Sequence, residues 1–171
     1  SVAERLGISA DSVLIASTGV IGRPYPIDRI RQGISALPIP LPSRDAEEVA
    51  MGIMTTDTVH KISSSKVDGT TATVVGVAKG VGMIEPNMAT LIAMVFTDAE
   101  LPGNVLDEVF KKVINRTLNC VSVDTDTSTS DTAIILASGQ SGAVDAGAFE
   151  SALHDVLVDL TKQIARDGEG A

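Results

Sequence analysis

Three stretches hold the residue types that can do chemistry, and in each glycines or hydroxyls crowd together. They are Ser17 to Gly22 (STGVIG), Thr55 to Thr58 (TTDT) and Lys79 to Thr90 (KGVGMIEPNMAT). All three fall at the predicted ends of regular elements, where backbone N–H groups are free to bind an oxyanion. The third opens with one lysine, passes through Glu85, Pro86 and Asn87, and delivers Ala89 and Thr90 to the apolar run Leu91 to Phe96. A glycine-rich loop that presents a hydroxyl at the mouth of a buried strand is one way to build a reactive site.

No Ser/His/Asp set can be assembled, because His60 and His154 are far apart and have no distinguishing context. A nucleophile here must be activated by something other than histidine. A threonine can use its own α-amino group as the base once it becomes a chain terminus. That amine has a pKa of about 7.7–8.0, near operating pH. If the Ala89–Thr90 bond were cut, Thr90 would acquire such a base. The residues alone leave a second reading of Thr90 standing: a β-branched residue that starts a strand. Asp124, Asp126 and Asp131 resemble a metal cluster at first sight. Their spacing lacks the full calcium-loop pattern, so a hydrogen-bonded turn and strand is expected there.

The elements that must position these loops follow from pattern. Val2 to Leu6 reads as the end of a helix stopped by Gly7, and Ser12 to Ala16 (SVLIA) as a short buried strand. Pro24 and Pro26 delay regular structure until a helix over Ile27 to Ile34. The proline-rich run Leu37 to Pro42 connects, and Asp45 to Met54 is a helix with an acidic first turn. Asp68-Gly69 between two β-branched runs predicts a hairpin of Lys61 to Val67 with Thr70 to Val77. Leu91 to Phe96 is a core strand, and Pro102 opens a helix reaching Asn115 or Leu118. Val121 to Ser130 and Thr132 to Ala137 are expected to form a further strand pair. Ala148 to Ile164 is an amphipathic helix. The architecture this predicts is an α/β (α+β) sheet layer covered by helices.

Composition narrows the partners. A net charge of −9 argues against nucleic acid and anionic membrane, which need clustered Lys and Arg. A single cysteine, Cys120, excludes an internal disulfide and a multi-cysteine metal site. No apolar segment approaches the roughly 20 residues that span a bilayer. The start, SVAERLGISADS, is polar and unlike a signal peptide, and both ends read as cut, which suggests a piece of a longer cytoplasmic protein.

The block GVAKGVGMIEPNMATLIAMVFTDA resembles the cleavage-site block of the ornithine acetyltransferases (glutamate N-acetyltransferases) of arginine biosynthesis. Four more blocks agree in order: LIASTGVIG, MTTDT, VDTDTSTSDT and a closing DGEGA. The resemblance implies a layered αββα sandwich of the self-cleaving N-terminal-nucleophile type, here a fragment. Residues 1–89 would be the C-terminal part of an α chain and 90–171 the N-terminal part of a β chain, both in one structural domain. It implies cleavage between Ala89 and Thr90 and ping-pong transfer of acetyl from N-acetylornithine, through acetyl-Thr90, to glutamate. Thr18 and Gly19 match the oxyanion hole; Thr55, Lys79, Thr90 and Glu169 match substrate contacts. A cation at Lys79 suits a substrate α-carboxylate, and an anion at Glu169 an ammonium group. Glu85 and Asn87 would shape the turn around the scissile bond. The resemblance implies no cofactor or metal, and α and β chains paired into a heterotetramer. It leaves open whether acetyl-CoA also donates. Thr125 and Ser130 look closer to the paralogues found with clavulanic acid biosynthesis than to members with Gly and Asn there. Two rivals are an N-terminal-nucleophile amidase or aminopeptidase, and a non-catalytic anion-binding assembly domain.

Overall fold

A computed structural model describes residues 2–20, 22–42, 45–82, 91–123 and 128–168. The chain divides into two compact units, Ser1–Arg44 and Asp45–Ala171.

In the first unit, helix α1 (Val2–Leu6) stops at Gly7, whose φ of 69° is the left-handed turn that glycine adopts without strain. The amide of Ile8 then donates to Ala3 O at 3.0 Å, closing the helix end. Helix α2 (Ile27–Ala36) begins directly after Pro26, as the prolines require. The expected buried strand over Ser12 to Ala16 does not form. The backbone beyond Ser12 is extended at Val13, but Leu14 is 63% exposed and Ile15 80%, and no described residue pairs with them. Apolar β-branched spacing sets an extended backbone. A strand also needs a neighbour to take its N–H and C=O groups, and the unit's main elements are helices.

The second unit carries the core. Helix α3 (Ala46–Gly52) is capped by Asp45, whose carboxylate accepts from Glu48 N at 3.1 Å. Strands β1 (Lys61–Lys66), β2 (Thr73–Lys79), β3 (Ile92–Thr97) and β4 (Thr132–Ala137) form one mixed sheet in the order β1-β2-β3-β4. The first three are antiparallel neighbours and β3–β4 is parallel. The Asp68-Gly69 hairpin is present, with Gly69 at φ 72° and a turn closed by Val67 N to Ala72 O at 2.9 Å.

The expected pairing of 121–130 with Thr132 to Ala137 is corrected. Val121 to Val123 and Ser128 to Ser130 are not strand, and β4 instead runs parallel beside β3. A parallel pair needs a long crossover, and helix α4 (Gly103–Asn115) supplies it. Helix α5 (Ala146–Arg166), capped by Asp145, closes the unit.

Side chains alternate across the strands, so one face of β2 and β3 presents Val74, Ala78, Ala93 and Val95. They join Phe110 and Val113 of α4 and Phe149, Leu153, Val156, Leu157 and Leu160 of α5 in one buried cluster. Gly76 sits on that face because α5 leaves no room: a Cβ there would lie 2.7 Å from Val156 Cγ1 and 2.8 Å from Leu160 Cδ1. We expect Gly76→Val to lower stability by about 1–3 kcal/mol, the usual size of an overpacking cost. Denaturant midpoints would show it, and an unshifted midpoint would contradict this packing. The opposite face holds Val77, Lys79 and Ile92, all buried, while α3 lies against β1 and β2.

Candidate active site

The register brings four strand ends together. β1 begins at Lys61, opposite Ala78; β2 ends at Lys79, opposite Ile92; and Ile92, the start of β3, is level with Thr132, the start of β4. The described segments entering or leaving the sheet at this end are 55–60, 80–82, Leu91 and Asp131. The C-terminus of α5 arrives at the same end, because Asp167 reaches Lys61.

Lys61 is fully buried, with a side chain of 0% exposure, and its ammonium is the hub of the end. Nζ donates to Asp57 Oδ1 at 2.8 Å, to Asp167 Oδ2 at 2.6 Å and to Val59 O at 3.3 Å. That uses all three of its donors. The carboxylates are satisfied in turn. Asp57 accepts from Gly80 N at 2.7 Å and Thr55 N at 3.2 Å; Asp167 accepts from Thr58 N at 3.1 Å and from the Thr58 hydroxyl. Burial works against charge on both acids. For Asp57 the donors from Lys61, Gly80 and Thr55 outweigh it and hold the carboxyl below its ordinary range. Lys61 and the two Thr58 donors do the same for Asp167. The network therefore pins three separate segments, at Thr55, Gly80 and residue 167, around one cation.

Beside it lies a second, less neutralised set. Lys79 is almost wholly buried, and burial lowers its ammonium pKa while the charges of Asp57 and Asp131 oppose that shift. Asp131 accepts from Leu91 N at 2.7 Å through Oδ1. Its Oδ2 is buried and has no hydrogen-bond partner among the described residues. Burial pushes the Asp131 carboxyl up to about 6, against the pull of Leu91 N and Lys79. A lysine and a raised carboxyl in a secluded strand end can bind a carboxylate and handle protons near neutral pH.

A family model described as the ArgJ family matches residues 1–171. The chain belongs to the ArgJ family. It is 54% identical over 170 residues to "Arginine biosynthesis bifunctional protein ArgJ 2" of Nostoc sp., covering 99% of this chain and 43% of that protein. It is 54% identical over 171 residues to "Arginine biosynthesis bifunctional protein ArgJ" of Rhodococcoides fascians, covering all of this chain and 42% of that one. It is 52% identical over 171 residues to "Glutamate N-acetyltransferase Oat2" of Streptomyces clavuligerus, again over its whole length and 43% of the relative. The chain thus spans about two fifths of the length of these relatives.

In this ArgJ-family chain the sequence-predicted residues divide by location. Thr55 and Lys79 meet at the strand end, bridged by Asp57, which takes the amides of Thr55 and of Gly80 after Lys79. Thr18 and Gly19 belong to the first unit, in a non-helical stretch where Ser17 Oγ bonds Tyr25 Oη at 3.0 Å. Ala89, Thr90 and Glu169 lie outside the described residues, as do Glu85, Asn87, Asp124 and Asp126. Sequence reasoning missed Asp57, Lys61 and Asp167 as site residues. The signal for two of them was in view, since Asp57 sits inside TTDT and Asp167 opens DGEGA. Lys61, four residues after Asp57, gave none.

Proposed function

We propose that the chain is part of a self-cleaving acetyltransferase that moves an acetyl group from N-acetylornithine to glutamate. The observation that carries this reading is 52% identity over the whole chain to a protein named for glutamate N-acetyltransferase activity. The acylated group is Thr90 Oγ. Thr90 Oγ attacks the Ala89 carbonyl and the peptide C–N bond breaks, leaving an ester on Oγ and a free α-amino group. Water then hydrolyses the ester, releasing the Ala89 carboxylate and restoring the hydroxyl, and the new amine serves as its base. The oxyanion of each tetrahedral intermediate is held by Thr18 and Gly19. Lys79 takes the substrate α-carboxylate, Thr55 adds a polar contact, and Glu169 takes an ammonium group. In the first half-reaction ornithine leaves with a proton. In the second the glutamate amine attacks acetyl-Thr90 and the hydroxyl is restored.

The sheet with α4 and α5 on one face is read as half of an αββα sandwich. The α and β pieces stay together because β2, before the cut, and β3, after it, are hydrogen-bonded neighbours. Two copies of each piece make a heterotetramer working in the cytoplasm. No helix among the described residues is long and apolar enough to cross a membrane.

The test uses the full-length protein. Intact mass and N-terminal sequencing are expected to find a β piece beginning at Thr90. Incubation with N-acetylornithine and glutamate is expected to give N-acetylglutamate with little free acetate. Acetate as the main product would favour an amidase. A single uncut species that still transfers acetyl would overturn the mechanism. Supplying acetyl-CoA in place of N-acetylornithine settles the second donor.

A further inference from the structure

We propose that Asp57 is a positioning residue that makes this strand end selective for a substrate carboxylate, because its two oxygens hold Thr55 and the peptide after Lys79 at a fixed separation. This rests on the reading above, in which Lys79 takes the substrate α-carboxylate and Thr55 adds a polar contact.

The charges at this end do not balance around Lys61 alone. Its ammonium lies 2.6 Å from Asp167 Oδ2 and 2.8 Å from Asp57 Oδ1, and both acidic side chains are almost wholly buried. One carboxylate is enough to match one ammonium. A second leaves a surplus negative charge in a secluded place, where an uncompensated ion is costly. Among the described residues the other buried cation is Lys79. Burial lowers its ammonium pKa, and the charge of Asp57 opposes this more than that of Asp131 does, while Lys61 adds to the lowering. Asp57 therefore serves Lys79 as well as Lys61.

Hydrogen bonding divides the two oxygens of Asp57 between two segments. Oδ1 accepts from Gly80 N at 2.7 Å as well as from Lys61, and Oδ2 accepts from Thr55 N at 3.2 Å. The Gly80 amide belongs to the peptide that follows Lys79, and Lys79 itself is fixed in the β2–β3 pairing, level with Ile92. Thr55 has no such support from a ladder, since it lies in irregular backbone between α3 and β1. Its separation from Lys79 is set by a side chain whose oxygens are already taken by protein donors.

That separation decides what the end can recognise. A carboxylate carries its charge on two oxygens in one plane, so it is gripped best by a cation and a polar group held at matching distance. The corresponding carboxamide has no charge and turns an NH₂ donor toward one of them. A rigid pair discriminates between the two, and a loosened pair discriminates less. Asparagine at position 57 loosens it without changing volume, because it has one acceptor oxygen and an NH₂ that only donates. With that oxygen toward Lys61 and Gly80, the NH₂ faces the Thr55 N–H and releases that segment. Turned over, it releases Gly80 instead. In both orientations the charge that supports Lys79 is gone.

The test uses the full-length protein, glutamate as acceptor, and two donors: N-acetylornithine and its α-carboxamide. In a ping-pong scheme kcat/KM for the donor covers the first half-reaction alone, so the carboxylate of glutamate does not enter. Wild type is expected to prefer the acid. In Asp57→Asn the acid-to-amide ratio of kcat/KM is expected to fall roughly 10- to 100-fold, the factor that one charge-assisted hydrogen bond carries. The ratio compares two substrates on one sample, so it does not depend on how much of the variant is folded. A loss shared equally by acid and amide is what a merely structural role produces, and it overturns the inference, as does an unchanged ratio. The triple variant Lys61→Met, Asp57→Asn, Asp167→Asn removes the buried charges together and is expected to show the same fall. A crystal structure of the wild type with ornithine bound decides without any variant. The ornithine carboxylate is expected within about 3.2 Å of Lys79 Nζ, with Thr55 N and Gly80 N still on Asp57, and departure of either amide refutes the assignment. A wild type that accepts acid and amide equally, or a Lys79→Met variant that keeps the preference, is a different failure, because it removes the reading of Lys79 itself.

Discussion

Lys61→Met is expected to cost the full-length protein about 3–5 kcal/mol of stability near pH 7, the range seen when one partner of a buried ion pair is removed. The size follows from what the substitution leaves behind. Asp57 and Asp167 have side chains of 0% and 4% exposure, and Lys61 is the cation that both of them bond. Without it two buried carboxylates stand close together, hydrogen-bonded among the described residues by the neutral donors of Gly80, Thr55 and Thr58. The triple variant Lys61→Met with Asp57→Asn and Asp167→Asn is expected to recover much of the loss, because it removes the uncompensated charge as well as the cation. Guanidinium denaturation of the three proteins measures this. A Lys61→Met midpoint equal to wild type would mean that the network contributes nothing.

The sign of the pH dependence gives a second check. Both acids have folded pKa values held below their ordinary range. Their contribution to stability is therefore complete above the unfolded carboxylate value of about 3.9 and is lost as pH falls through the folded values. In Lys61→Met the burial that already opposes charge is no longer outweighed, so those carboxyls rise and the variant gains relative stability on acidification. The gap between wild type and variant should narrow from pH 7 to pH 4. Asp131 runs the other way. Its folded value of about 6 lies above the unfolded one, so its share of stability falls as pH rises between the two.

What the sequence made legible was local. The Asp68-Gly69 turn announces its hairpin because left-handed backbone at Gly69 is a one-residue matter. The stripes of α4 and α5 announce themselves because apolar residues at helical spacing must share a face. The strand partner of β4 is not local. Thr132 to Ala137 is equally apolar whether it pairs with the chain just before it or with β3 across a helix, and only the crossover through α4 decides. Lys61 was illegible for a related reason. KISSSK shows no sign that its first residue is buried, and one of the carboxylates that receives its ammonium, Asp167, is 106 residues away. The family blocks directed attention to Thr55 and Glu169 within TTDT and DGEGA. In the structure the carboxylates of the same blocks, Asp57 and Asp167, tie the two segments to Lys61.

Replacing Thr90 separates the two roles read for it. On the proposed mechanism Thr90→Ala removes the hydroxyl that attacks the Ala89 carbonyl, so the full-length variant is expected to remain one uncut species by intact mass. It also lacks the oxygen that carries acetyl, so N-acetylglutamate formation is expected to fall by 10⁴-fold or more, on the order of the loss when an enzyme's nucleophile is deleted. Thr90→Ser keeps hydroxyl, amine and cleavage chemistry and loses only the methyl that restrains χ1. It should still cut and still turn over, slower by about 10²-fold at most, the cost of a misplaced reactive group. The two variants together exclude a purely structural part. A strand-entry residue valued for its β-branch would be mimicked better by valine than by serine, so Thr90→Val should then cut and transfer acetyl as well as Thr90→Ser. If instead only the hydroxyl-bearing variant is cut and active, the residue before Leu91 is a nucleophile.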